Sequence, residues 1–189
     1  MRIPLSALIG LVLTGTFLFV AVFAHWIAPY PISDSSGGQW EGMSATHWLG
    51  TDTIGRDILS RLIYGAQITI FVALASSILS FSLGAFLGFL AAVKGGWADQ
   101  LLSRLVDLVM AVPSLIVALV MLSVLPLNLT VLILVMGVLD STRVFRLSRA
   151  VAVDIAVMDY VEAAKLRGEK GTWIIFREIL PNARSPLVA

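Results

Sequence analysis

The sequence has no cysteine, little charge and only two histidines. The absence of cysteine among the 189 residues excludes disulfides and thiol chemistry. His25 and His47 are too few for a histidine-rich metal site, so we interpret both as interfacial or loop residues. Charged residues make up 13% of the chain, against about a quarter in a typical soluble domain, and hydrophobic residues make up 58%. This composition argues against a water-soluble protein.

Charged side chains are also missing from three long stretches. Asp, Glu, Lys and Arg are absent from Ile3 to Ser33, from Leu62 to Val93 and from Leu108 to Leu139. Each stretch exceeds the roughly 20 residues that cross a bilayer as a helix. The first is longer than the apolar core of a signal peptide, which indicates an uncleaved helix. The pattern predicts an all-α membrane protein.

The third stretch is too long for one crossing, since a single helix of that length would be about 48 Å long. Pro126, Leu127 and Asn128 divide it, although a re-entrant hairpin is an alternative. We also expect Pro113 to kink the chain. The four predicted spans are Leu5 to Ile27, Gln67 to Ala92, Leu105 to Leu125 and Leu129 to Leu147.

The segment between the first two spans has two parts. Residues 33–38 are turn formers without apolar periodicity, which predicts a flexible connector. Asp52 to Tyr64 places apolar residues on one helical face and polar residues on the other, which predicts a helix lying on the membrane surface. Within it, Asp57 and Arg61 have the spacing of a helical ion pair.

Small residues recur at every fourth position of span two. Gly84 and Gly88 form the small-xxx-small pattern that allows close approach of another helix. That helix could belong to this chain or to a partner subunit. Near the membrane, Arg104 with Asp107 and Asp140 with Arg143 are spaced for local neutralisation. A substrate-lining role for Asp140 is the alternative, but no unpaired charge supports it in the sequence.

The distribution of basic residues predicts the orientation. The segment between spans one and two contains two, Arg56 and Arg61, and the opposite side contains the other eleven of the 13. The positive-inside rule therefore predicts a cytoplasmic N-terminus, with all residues after Arg143 in the cytoplasm.

A helix, a turn and a second helix are predicted after span four. Asp159 can cap the first helix, with Glu162 as its capping-box partner, and Gly168 suits the turn. Thr172 can cap the second helix, which Pro181 limits. The glycines and lysine at 168–172 lack the order of a phosphate-binding loop, so ATP-driven transport would require an ATPase on another chain.

Two motifs carry a family resemblance. Residues 159–181 resemble the EAA loop of binding-protein-dependent ABC permeases through Glu162, Ala163, Ala164, Gly168, Leu180 and Pro181. Residues 47–65 resemble the signature that follows the first span in the dipeptide, oligopeptide and nickel permease group. The matching positions are Gly50, Thr51, Asp52, Gly55, Arg56, Asp57, Ser60 and Arg61.

The resemblance implies a type I ABC importer transmembrane fold in a multi-pass protein of the bacterial inner membrane. Residues 1–66 would form the first helix and a periplasmic segment, and residues 67–189 an incomplete transmembrane domain without the last two family spans. The EAA-like loop would be the coupling helix. Its implied partners are a second permease subunit, forming a heterodimer, two ATPase subunits that bind the ATP, and an external solute-binding protein.

Peptides or related small solutes, with nickel as a variant, are the implied cargo. The chain itself is expected to be no enzyme and to bind no cofactor or metal. Two alternatives remain open. A non-transporting membrane remnant or anchor would need no coupling hairpin, and a secondary transporter would predict an unpaired intramembrane carboxylate or inverted repeats.

Overall fold

The computed structural model describes residues 4–35, 37–126 and 128–183. Within these ranges, β structure is limited to one isolated bridge between Thr51 and Asp57. The helices are α1 (Leu5–Val22), α2 (Ala24–Ile27), α3 (Ile58–Lys94), α4 (Gly96–Met110), α5 (Ser114–Val124), α6 (Leu129–Ala156), α7 (Asp159–Leu166), α8 (Gly171–Ile174) and a π-helix (Ile175–Ile179). The all-helical prediction is confirmed.

Some positions on which the sequence predictions depend lie outside the described residues. They are Arg2 and Arg184 in the charge count, Ser36 in the connector, Leu127 in the break and the segment 185–189. The described residues form two compact units, one that ends at Ala73 and one that starts at Leu74.

Two helices, α1 and α3, are long and apolar enough to cross a membrane. A third span exists if α4 and α5, which are bent by 82° at the break between them, count as one crossing. Pro113 lies at this break, where its ring fixes the backbone at the start of α5. The described residues therefore contain two or three candidate spans. Helix α6 is not among these candidate spans, because it is too highly charged. Every stretch of it that is long enough to cross a membrane contains Asp140, Arg143 and Arg146.

The predicted surface helix over Asp52 to Tyr64 is wrong. Residues 52–57 form turns, and the helix starts at Ile58 and runs without interruption to Lys94. Gly55 has φ +78°, a left-handed conformation that an α-helix cannot contain. The apolar periodicity belongs to the first turns of α3. The predicted pair of Asp57 with Arg61 is wrong too, since Arg61 pairs with Asp52.

The core of the second unit lies where α3 and α6 meet the C-terminal segment. Apolar side chains from these elements are buried together: Ala85, Phe89, Ala152, Ile155, Val161, Ala164, Ile174, Ile175, Ile179 and Ala183. The segment after α6 is therefore packed onto the helices that precede it, and it is not a loose appendage.

Gly84 and Gly88 of α3 lie against the backbone of α6. A Cβ at Gly84 would be 2.5 Å from the carbonyl oxygen of Ser141, and one at Gly88 would be 2.8 Å from that of Phe145. Both distances are too short for any side chain. Of the two partners left open by the sequence, the structure gives these glycines a helix of the same chain.

Two ion pairs join α4 to α6. The Arg149 guanidinium donates to both carboxylate oxygens of Asp99, with 2.6 Å between Nη2 and Oδ2, and Arg146 lies 3.1 Å from Asp107. The local pairing predicted for Arg104 with Asp107 is therefore wrong. The pairing predicted for Asp140 with Arg143 is also wrong, because no ion pair joins these two among the described residues.

Candidate functional site

The first candidate site is the signature turn, residues 47–61, in the first unit. Asp57 caps α3 by accepting a 2.7 Å hydrogen bond from the backbone N–H of Ser60. Its other oxygen lies 3.2 Å from Nδ1 of His47. Burial alone would raise the pKa of Asp57, but hydrogen bonds from Ser60 and His47 outweigh it and lower the pKa. His47 is thus a buried partner of a helix cap, a role that its isolated position in the sequence did not indicate.

Asp52 organises the turn before the cap. One carboxylate oxygen accepts 2.9 Å hydrogen bonds from the N–H groups of Ile54 and Arg56, and the other pairs with Arg61. These contacts, the Arg56 N–H first, lower the pKa of the Asp52 carboxyl. Gly55 is required here, because a Cβ would lie 2.1 Å from the carbonyl oxygen of Gly37.

The two hydroxyls of the signature bind the backbone of distant loop residues. Thr51 donates to the Gly38 carbonyl at 2.6 Å and accepts from the Glu41 N–H at 2.9 Å. Ser60 accepts from the Tyr30 N–H at 3.1 Å. Both side chains are almost completely buried. The signature residues therefore fold this segment, and most of their polar groups are used within it.

The second candidate site is the hairpin, residues 159–183, in the second unit. Helix α7 begins at Asp159, but its N-cap is Met158, which uses no side-chain hydrogen bond. The predicted cap at Asp159 with Glu162 is therefore wrong by one position. The predicted cap at Thr172 is wrong as well, since Lys170 occupies that position of α8.

Gly168 makes the turn of the hairpin. It has φ +79°, its N–H donates to the Lys165 carbonyl at 2.9 Å, and the Glu169 N–H donates to Ala164 at 3.2 Å. These bonds satisfy carbonyls at the end of α7, as in a glycine-terminated helix. Nothing lies within 4 Å of a Cβ at this position, so the glycine is required for its backbone conformation and not for space.

Pro181 does not end the second helical arm of the hairpin, because the chain stays helical from Gly171 through Ala183. The turn that precedes it, Ile175–Ile179, is π-helical. Proline has no N–H to donate and its ring crowds the carbonyl four residues earlier. A wider turn at this point gives the ring room, so the correction to the predicted boundary has a local cause.

The EAA-like residues point in two directions. Ala164 is fully buried and packs in the core with α3 and α6, and Leu180 is partly buried against the same core. Glu162, Ala163, Gly168 and Pro181 are exposed. Thus one face of the hairpin packs against α3 and α6, and the other face is exposed.

The open face also carries apolar side chains. Leu166, with 83% of its surface exposed, follows the EAA positions on α7, and Phe176 is 57% exposed. Beside them lies a hollow of about 550 Å³, lined by Gly168, Glu169, Lys170, Thr172, Trp173, Phe176 and Arg177. Leu166 is a contact candidate that the motif comparison missed. Only its helical spacing from buried Val161 and Ala164 could have indicated its exposure.

Neither site contains a candidate metal centre. Among the described residues, no group of three or more His, Asp or Glu could bind a metal ion. The hairpin offers two exposed carboxylates, Asp159 and Glu162, together with exposed basic and apolar side chains.

An all-helical chain with two or three candidate membrane spans and a helical hairpin packed onto its long helices is the architecture of an integral membrane protein. Residues 84–189 match the family described as binding-protein-dependent transport system inner membrane component. The chain belongs to this family, which confirms the resemblance inferred from its motifs. A family of membrane components in transport systems agrees with the expectation that this chain is not an enzyme.

Curated relatives extend the match to nearly the whole chain. It is 35% identical to the di/tripeptide transport system permease protein DppC of Pseudomonas aeruginosa, over 97% of this chain and 63% of that protein. It is 31% identical to the dipeptide permease DppC of Alkalihalophilus pseudofirmus and 31% identical to the oligopeptide permease OppC of Bacillus subtilis, in each case over 96% of this chain and 60% of the relative. The chain thus spans about 60% of the length of these relatives.

Proposed function

We propose that this chain is a permease subunit of an ATP-driven ABC importer for peptides. The observation that carries the proposal is the hairpin, with Glu162 and Ala163 exposed while Ala164 joins the core of α3 and α6. The names of the relatives, which are dipeptide, di/tripeptide and oligopeptide permeases, support peptides as the solute class.

Coupling follows from the two faces of the hairpin. An ATPase subunit would bind the exposed face, with Glu162 as the polar contact and Leu166 as an apolar one. Closure of two ATPase subunits would then move the hairpin as a rigid body, because its other face is buried against α3 and α6. The helices would tilt with it, and access to the membrane path would alternate.

The proposed membrane arrangement has four spans: α1, α3, the bent pair α4 with α5, and α6. The charges of α6 then require polar surroundings or pairs, which Arg146 and Arg149 have with α4. The excess of basic residues supports a cytoplasmic N-terminus and hairpin, and an external signature turn. Residues 1–66 and 67–189 remain the proposed domain division.

The proposed assembly has a second permease subunit, two ATPase chains and an external binding protein. Two alternatives remain distinguishable. A membrane anchor would leave the hairpin without an ATPase partner. A secondary transporter would use an unpaired intramembrane carboxylate, and Asp140 fits that description, but membership in a binding-protein-dependent family weighs against it.

Co-purification with the ATPase tests the docking surface. We expect Glu162→Ala to insert normally and to reduce ATPase association about tenfold, because a hydrogen bond to a charged group contributes about 1.5 to 3 kcal/mol. Asp154→Ala is the matched control, an exposed carboxylate on α6 outside the hairpin. Undiminished association and substrate-stimulated hydrolysis in Glu162→Ala would refute the docking assignment.

A further inference from the structure

Asp140 is a carboxylate in the middle of a helix proposed to cross the membrane. It lies about 17 Å along α6 from Leu129, which is close to half of a 30 Å hydrocarbon core. Its side chain is exposed, and none of the described residues supplies an ion pair or hydrogen bond for it. An ionisable group at this depth is costly, so an intramembrane carboxylate is a candidate for a functional contact.

The surroundings of Asp140 are polar on one side. It borders a cleft of about 550 Å³ between α3 and α6, together with Ser77, Ser80 and Ser82. Ser80 is 4% exposed and lines the wall of this cleft. Serine hydroxyls can accept as well as donate hydrogen bonds, so they are suitable contacts for a polar group that enters the cleft.

The nearest cation on α6 is directed elsewhere. Arg143 borders a different hollow, of about 360 Å³, beside Pro113 at the break between α4 and α5. The carboxylate and the guanidinium are three residues apart, yet each faces its own cleft. Asp140 therefore remains available to a cation that enters from outside the described chain.

We infer that the Asp140 cleft is a waypoint for the solute, meaning a transient binding site on its path through the membrane. There the carboxylate and the serine hydroxyls bind the ammonium group of a peptide with a free amino terminus. The inference rests on the proposed function, since it takes peptides as the solute. A primary ammonium donates three hydrogen bonds, and one carboxylate with two or three hydroxyls supplies matching acceptors. Ile78, Phe81 and Val144 line the rest of the cleft and can contact an apolar side chain.

A unique thiol reports on the cleft, because the chain has no cysteine of its own. In the transporter assembled with this chain, Ser77→Cys should react with a water-soluble, cationic thiosulfonate reagent. A dipeptide with a free amino terminus should slow this labelling at least about tenfold, as expected for a hydrogen-bonded charge contact. Its N-acetylated form should protect much less. The Asp140→Asn change should abolish protection by the free-amino peptide, and Asp140→Glu should retain part of it.

Val138→Cys is the matched control for exposure. Val138 is 47% exposed and lies on α6, as Asp140 does. The two residues are two positions apart, so their side chains are separated by about 200° around the helix axis. In a bilayer we expect this thiol to face away from the cleft and to react slowly, with no peptide effect. A similar rate and similar protection at both positions would overturn the inference.

The outcome separates this inference from the proposed function, because labelling needs neither ATP nor transport. Equal protection by the two peptides, protection that survives Asp140→Asn, or an unreactive Ser77→Cys would each overturn the waypoint. Selective, Asp140-dependent protection in a complex that takes up no peptide with ATP would support the waypoint and refute the importer function. Normal ATP-driven uptake with equal protection by the two peptides would support the importer function and refute the waypoint.

Discussion

The signature turn and the hairpin both carry family motifs, but their residues are used in opposite ways. In the turn, Asp57, Thr51 and Ser60 are almost fully buried and bonded to neighbours within the same segment. In the hairpin, Glu162 and Leu166 are exposed. A motif whose polar groups are satisfied internally builds structure, whereas a motif that leaves them exposed is available to a partner.

This difference predicts two kinds of mutational effect. Substitutions in the signature turn should lower stability and leave ATPase binding to the correctly folded fraction unchanged. Substitutions on the open face of the hairpin should leave stability unchanged and weaken ATPase binding. The following predictions test that separation, in order of decreasing effect.

The largest effect is expected from Asp57→Ala. It removes the α3 cap and leaves the Ser60 N–H and His47 without their acceptor, at a cost of roughly 2 to 3 kcal/mol. Trp40 and Trp48 lie in the same unit, so thermal unfolding followed by tryptophan fluorescence should report the loss. Asp57→Asn is the control, because asparagine also caps helices, and it should cost about half as much. Weaker ATPase binding with unchanged unfolding would contradict the comparison.

Gly84→Ala should have the next largest effect. The new methyl group would lie 2.5 Å from the Ser141 carbonyl, and a backbone atom cannot move aside cheaply. Overpacking of this kind costs about 1 to 3 kcal/mol. Gly65→Ala in the same helix is the control, since nothing lies within 4 Å of its Cβ. A lower unfolding temperature only in Gly84→Ala is expected, and equal values would show that this packing is not tight.

Local sequence signals predicted part of this structure. Charge-free runs identified α1 and most of α3, and Gly168 identified the hairpin turn, because each signal depends on a few adjacent residues. The pairing of Asp99 with Arg149 joins residues 50 positions apart, and spacing carries no information on it. His47 was overlooked for the same reason, since its partner Asp57 is brought near by turns at Gly50 and Gly55.

The errors in the candidate sites have local causes as well. Asp159 and Thr172 were plausible caps by residue type, but each lies one or two positions inside its helix. The apolar pattern predicted a helix from Asp52, although Gly55, with its left-handed backbone, prevents a helix there. Residue preferences thus located the elements and missed their first residues, where a single turn decides the boundary.

Leu166→Ala should change docking without changing stability. Leu166 is 83% exposed, so its truncation removes little buried surface from this chain. If an ATPase covers it, loss of the side chain should weaken association about five- to tenfold, or about 1 to 1.4 kcal/mol. Val161→Ala is the matched control on the same helix, where the side chain is fully buried and stability should fall instead. Titration of ATPase binding together with thermal unfolding measures both quantities, and a stability loss in Leu166→Ala would place it in the core.

The smallest effect is expected from protonation of the Asp57 carboxylate, because it changes stability only in acid. Hydrogen bonding lowers the pKa of Asp57 below its usual 3.8, so its stabilising contribution is complete above pH 3.8 and is lost as the pH falls through the lower folded value. Tryptophan fluorescence of the signature turn should therefore stay constant as the pH is lowered to about 4 and change only below it. Asp57→Asn has no carboxylate to protonate, so it should lose less stability across the acid range. An equal acid transition in both proteins would assign it to other groups, and would remove Asp57 from the residues that build the turn through their charge.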